Sequence, residues 1–181
     1  MKRAASLAVV AAAAGIDCDD GILVDEFGRT SAPNVYAVGD ACRFYDPREA
    51  HHRRLEAWDH AQSQPLTVAA HIVGADRPYS PVPWCWTDQY DHNIQIFGSM
   101  HGVDRFVCRG SPDSARPSCF GLRGDRLVAA WIVDAARDRR AVRQLIDRRA
   151  VIDVERLADP AVPVAAVAAG PPVAGADQRS N

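Results

Sequence analysis

RTSAPNVYAVGDAC, Arg29 to Cys42, is the stretch that decides the fold class. Its centre, Val35 to Gly39, is an unbroken apolar run after the polar turn TSAPN. That pattern predicts a short strand buried on both faces, as in a parallel sheet covered by helices. Asp40 follows Gly39 at once. In open α/β sheets, ligands sit outside the carboxyl ends of strands. Gly39 lacks a Cβ and lets a ligand approach the backbone. Asp40 can accept hydrogen bonds from sugar-type hydroxyls, and a helix starting there would offer N–H groups to a phosphate. For a Gly-Asp pair alone, a turn residue and an N-cap would suffice. The whole run favours the ligand reading.

Towards the N-terminus, GILVD (Gly21 to Asp25) reads as a strand followed by a turn at Phe27-Gly28-Arg29. Ala4 to Ala14 reads as a helix stopped by Gly15. Lys2 and Arg3 before LAVVAAAAG, with Ala12 and Ala14 as an A-x-A, also fit a short secretory signal; an exported small protein is the reading that would follow. The helix reading is preferred, because a nucleotide-binding pattern follows it, and with it a cytoplasmic location.

Towards the C-terminus, Asp46 to Arg54 reads as a polar loop. Leu55 to Val73 has helical periodicity, with Leu55, Trp58, Ala61, Val68, Ala69 and Ile72 sharing much of one face. Pro65 is expected to interrupt or split this helix. Gly74 ends it, and Pro78, Pro81 and Pro83 mark an extended linker. After Trp84 the pattern changes to short alternating strands, near Asn93 to Gly98, Arg105 to Arg109, Ser118 to Leu122 and Leu127 to Val133. Gly124-Asp125 predicts a tight hairpin between the last two. A helix from about Arg137 to Arg148 follows. The expected architecture is α/β plus α+β: residues 1–76, then a small antiparallel sheet with a helix over 77–157, then an Ala-, Pro- and Val-rich flexible tail over 158–181.

Composition narrows the function. Of the 181 residues, 48% are hydrophobic, enough for a packed core, and the net charge of -2 gives no reason to expect nucleic-acid or membrane-surface binding. No apolar run is long enough to span a bilayer. The five cysteines include no Cys-x-x-Cys pair, so neither a disulfide framework, a structural zinc site nor a thioredoxin-type dithiol is expected, and reduced thiols are. His51 and His52 are adjacent and share no helical face, so no metal site is expected. His71, His92 and His101 have no hydrolytic spacing with acids, and no serine has a G-x-S-x-G setting.

At this point a resemblance becomes specific. RTSAPNVYAVGDAC resembles the second FAD-contacting motif of two-dinucleotide-domain flavoprotein reductases. RLEAWDHAQSQ (Arg54 to Gln64) resembles the helix start that follows it in oxygenase-coupled ferredoxin reductases, and PVPWCWTDQYD (Pro81 to Asp91) resembles the entry to their C-terminal domain. The similarity runs from about Gly15 to Ile146, with the motifs in the family's order.

The resemblance implies a partial FAD-binding dinucleotide fold followed by a reductase C-terminal domain. It implies FAD and NAD(P)H as cofactors and an iron–sulfur ferredoxin as partner, with flavin converting a two-electron donation into single electrons. Gly39 and Asp40 would sit at the ribityl chain, Trp58 near the isoalloxazine, and Glu56 on the nicotinamide side. Trp86, Thr87 and Asp88 would close over the flavin. No side chain is expected to perform acid–base catalysis. Plainer readings stand beside these: Trp84 and Trp86 as domain-junction core, Glu56 as part of a solvated helix face.

No G-x-G-x-x-G turn occurs in the sequence, so the pyrophosphate cradle and the nicotinamide site are missing, and a truncated reductase that cannot complete the reaction alone is expected. His60 stands where relatives commonly carry asparagine, and Pro65 where they carry glycine. Arg137, Arg139, Arg140, Arg143, Arg148 and Arg149 cluster on or beside one helix. Arg139, Arg140 and Arg143 could steer an acidic ferredoxin, and a solvated face partly balanced by Asp138 and Asp147 stands beside that reading. The alternative to a reductase is a non-catalytic remnant that only binds a ferredoxin or oxygenase component.

Overall fold

The computed structural model describes residues 2–109 and 116–169. The chain divides into two compact units, Met1–Cys85 and Trp86–Asn181.

In the first unit, helix α1 (Lys2–Ala13) is an alanine-rich run. It stops at Gly15, whose φ of 79° is left-handed; the N–H groups of Gly15 and Ile16 close the last turn on the carbonyls of Ala12 and Ala11. Strand β1 (Ile22–Val24) pairs in parallel with β2 (Cys42–Asp46), which pairs antiparallel with β3 (His51–Arg53). Burial alternates along β2, so Cys42, Phe44 and Asp46 point inward. Residues 46–54 are therefore a hairpin and not the expected loop. The buried Asp46 carboxylate makes this possible, accepting from the Arg48 N–H at 2.9 Å and from Arg53 Nη1 at 3.2 Å.

The predicted strand Val35–Gly39 is also corrected. It forms only an isolated bridge, Arg29 to Tyr36, and Val35 is 40% exposed. One edge bonds its own turn, through Thr30 N–H to Val35 O and Ala37 N–H to Gly28 O. On its other edge the segment has no ladder partner among the described residues, so it joins no sheet.

Helix α2 (Trp58–Ile72) continues through Pro65, where an interruption was expected. An internal proline costs about 3 kcal/mol; packing of the buried row His60, Gln64 and Val68 offsets it. That row also corrects the predicted apolar face, since Trp58 and Ile72 are 63% and 58% exposed. The core beside it joins Val24, Cys42, Phe44 and Tyr79. Phe44 stacks on His60 at 5.0 Å and meets Tyr79 edge-on at 5.3 Å.

In the second unit, β4 (Trp84–Gln89), β5 (His92–Gly98), β6 (Arg105–Arg109), β7 (Ser118–Arg123) and β8 (Arg126–Val133) form one sheet of order β4-β5-β8-β7-β6. Gly124 and Asp125 make the predicted two-residue turn, with Gly124 at φ 61°. Register places Val107, Phe120, Ala130 and Phe97 in one row across the sheet, and all are buried. Helix α3 (Arg139–Asp147) packs on β5 and β8 through Val142, Leu145 and Ile146. Helix α4 (Val154–Ala158) packs on β6. Residues 159–169, expected as flexible tail, are docked. Arg109 donates to the carbonyls of Leu157, Val162 (2.8 Å) and Arg156 (3.1 Å), and Val164 and Val167 are buried. The rest of the predicted tail, 170–181, lies outside the described residues.

The cysteine reading needs correction too. Cys108 and Cys119, eleven residues apart, are register partners on β6 and β7, joined as a disulfide with Cα atoms 4.1 Å apart. Spacing rules do not see a pairing created by strand register.

Candidate functional site

The site in the first unit starts at a tight turn. Gly39–Ala41 is a single 3-10 turn, entered through Gly39 at φ 67°, a left-handed value that favours glycine. The buried Gly39 N–H donates to Gln64 Oε1 at 2.7 Å, and the Cys42 thiol donates to the same oxygen at 3.3 Å. One buried glutamine of α2 thus fixes the turn. Beyond it Asp40 is exposed, and among the described residues nothing donates to its carboxylate. An acceptor pair held on a rigid turn is suited to the hydroxyls of a polyol.

Arg54 organises the surface around Asp40. Its Nη2 donates to the Asp40 carbonyl at 3.2 Å and to the Glu56 carboxylate, and its Nη1 donates to Asp20 at 2.9 Å. Asp20, Asp40 and Glu56 are therefore connected through one guanidinium. Trp58 follows as the first residue of α2, with no side-chain cap on the helix, and is 63% exposed. Behind this surface, His60 Nδ1 lies 2.9 Å from the Tyr79 hydroxyl, which is 3.0 Å from Ser63 Oγ. Burial holds the His60 imidazole below its ordinary pKa, and burial pushes the Cys42 thiol up to about 11. Both are neutral packing groups near neutral pH.

Trp86, Thr87 and Asp88 belong to the second unit, on edge strand β4. Trp86 is 38% exposed. Thr87 Oγ1 accepts from Gln89 Nε2 at 2.8 Å, and Asp88 Oδ1 accepts from Asn93 Nδ2 at 2.7 Å. The predicted site residues thus fall into a group of four on the first unit and a group of three on the second.

Sequence reasoning missed Arg54 and Gln64. Both lie within RLEAWDHAQSQ, and Gln64 follows His60 at helical spacing. A search for apolar periodicity passes over a row whose buried members are polar. A separate open cavity of about 500 Å³, lined by Asp17, Asp25, Arg29, Ser31, Tyr45 and His52 among others, contains none of the predicted residues. Among the described residues there is no cluster suited to a metal ion, and no helix long and apolar enough to cross a membrane.

Comparison with known proteins bears on both units. The family described as "Reductase C-terminal" matches residues 84–168, and "Pyridine nucleotide-disulphide oxidoreductase" matches residues 3–65. The ferredoxin–NAD(+) reductase component of the anthranilate 1,2-dioxygenase system of Burkholderia cepacia is 42% identical over 154 residues, which is 84% of this chain and 38% of the relative. The chain thus carries matches to both domains, and the relatives it resembles are ferredoxin reductase components of oxygenase systems. It corresponds to the C-terminal portion of such a reductase. Rhodocoxin reductase of Rhodococcus erythropolis is 37% identical over 83% of this chain and 35% of its own length. Among solved structures, the ferredoxin reductase of the CYP199A2 system from Rhodopseudomonas palustris is similar at a TM-score of 0.81 and 33% identity, over 86% of this chain and 39% of that one. Putidaredoxin reductase, in its covalent complex with putidaredoxin, is similar at a TM-score of 0.82 and 33% identity, over 87% and 38%. This chain therefore spans about two-fifths of the length of these relatives.

Proposed function

We propose that this chain supplies the ribityl- and ring-side portion of an FAD site, and the C-terminal domain, of an NAD(P)H-dependent ferredoxin reductase serving an oxygenase in the cytoplasm. The observation that carries this reading is the Gly39–Asp40 turn, fixed from behind by Gln64 of the helix that Trp58 begins, joined to Glu56 through Arg54 and presenting an unengaged carboxylate. When bound, FAD accepts a hydride and releases single electrons. The protein's part is positional. Asp40 would accept from the ribityl hydroxyls, Trp58 would face the ring system, and Glu56, oriented by Arg54, would lie on the nicotinamide side. For Trp86, Thr87 and Asp88 on β4, a flavin-side role rests on the sequence resemblance alone. The residues present fit the polyol and ring of the cofactor. Its pyrophosphate would need a glycine-rich turn that this sequence does not contain.

The exposed arginines Arg139, Arg140 and Arg143 on α3 favour a second role, docking of an acidic iron–sulfur ferredoxin. The non-catalytic interaction module is this role alone. Titration of FAD into the purified 181-residue protein, followed by flavin fluorescence quenching, tests the first reading, with ferredoxin binding measured in parallel. Binding that Asp40→Ala weakens at least tenfold supports the flavin site. FAD binding that is absent or unaffected by Asp40→Ala refutes it, and salt-sensitive ferredoxin binding by the same preparation would leave the interaction module.

A further inference from the structure

Cys108 and Cys119 take no part in the flavin site, yet the sheet brings them together. Val133 N–H donates to the Pro117 carbonyl, so the odd-numbered residues of β7 bond towards β8 and the even-numbered ones towards β6. Cys119 therefore faces Cys108 in a non-hydrogen-bonded pair, where opposed side chains stand closest. Their Cα atoms are 4.1 Å apart. Cys108 is exposed and Cys119 half-buried, on the face of the sheet opposite the buried row of Val107 and Phe120. Strand β6 is also the outermost strand of its sheet. The next residue along, Arg109, holds three carbonyls of α4 and the segment after it. Whatever fastens Cys108 to β7 steadies that anchor as well.

We propose that Cys108 and Cys119 form a thiol–disulfide switch, set by low-molecular-weight disulfides of the glutathione type, which in its oxidised state fastens β6 and the α4 segment it holds. In the forward direction, the exposed Cys108 thiolate attacks the small disulfide, forming a mixed disulfide and expelling one small thiolate. The Cys119 thiolate then attacks Cys108 Sγ, forming the protein disulfide and releasing the second small thiolate. The two cysteine protons pass to the departing thiolates. Two protein thiols are oxidised and one small disulfide is reduced. The switch needs no flavin, so it stands or falls apart from the proposed function.

The test equilibrates the 181-residue protein in buffers of graded reduced-to-oxidised glutathione ratio, then traps free thiols with iodoacetamide for peptide mass spectrometry. Cys108 and Cys119 should lose alkylation together, appear as one linked peptide pair, and recover when the buffer is made reducing. Cys119→Ser should instead accumulate glutathione on Cys108, because the resolving thiol is gone. Oxidation should slow amide exchange at Val107 and Leu157 by on the order of tenfold to a hundredfold and leave Phe44 unchanged. The proposal is overturned if both thiols stay alkylated in the most oxidising buffer. It is equally overturned if the parent accumulates the same adduct as Cys119→Ser, or if the linked pair forms without changing exchange at Val107 and Leu157.

Discussion

Replacing Gln64 with methionine probes the link between α2 and the Asp40 turn. Gln64 is 1% exposed, and its Oε1 is the acceptor for Gly39 N–H and the Cys42 thiol. Methionine keeps the length of the chain but offers only a weak thioether acceptor. The buried Gly39 N–H is then left without its oxygen, and an unsatisfied buried amide costs about 1–3 kcal/mol. A central value of about 2 kcal/mol corresponds to about thirtyfold faster local exchange. Residue-resolved hydrogen exchange is the suitable assay, because a chain of two compact units need not unfold in one step. The Gly39 amide should exchange about thirtyfold faster in Gln64→Met, with Val107 in the second unit unchanged. Flavin affinity should fall in parallel, since the same turn carries Asp40. A folded Gln64→Met protein whose Gly39 exchange matches the parent would refute the claim that this oxygen holds the turn.

Further outcomes follow from the same geometry. A Cβ at Gly98 would lie 1.9 Å from the Val128 carbonyl oxygen at a φ of 74°, whereas Gly124 (φ 61°) has open space around it. Gly98→Ala should therefore abolish soluble expression or cost well over about 3 kcal/mol, and Gly124→Ala only about 1 kcal/mol, as read by thermal melting. His60 is buried and its folded pKa is depressed, so the unfolded chain binds more protons below the ordinary histidine pKa of about 6.5. Stability should thus fall as pH drops from about 6.5 towards the folded value and then level off, and His60→Asn should flatten that part of a denaturation series across pH. Cys42 is fully buried with its pKa raised to about 11, so iodoacetamide at mildly alkaline pH should leave it unmodified in the native protein and label it after denaturation. Rapid native labelling of Cys42 would contradict the packing described.

What the sequence determined by itself was local chemistry. The glycine stops at Gly15 and Gly74, the two-residue turn at Gly124-Asp125 and the strands of the second unit follow from turn preference and alternation, which act over a few residues. The order of GDAC, RLEAWDHAQSQ and PVPWCWTDQYD carried the resemblance to oxygenase ferredoxin reductases, because such motifs are contiguous runs that a sequence displays directly. Only tertiary structure decided the rest. Val35–Gly39 reads as a buried strand, but a strand exists only beside partners, and one edge of this segment has none among the described residues. Trp58 and Ile72 read as core, yet α2 turns His60, Gln64 and Val68 inward, because a polar group that finds a buried partner packs as well as an apolar one. Arg54 and the Cys108–Cys119 pair acquire their partners from chain segments brought together by turns and register, and no local pattern encodes contacts of that kind.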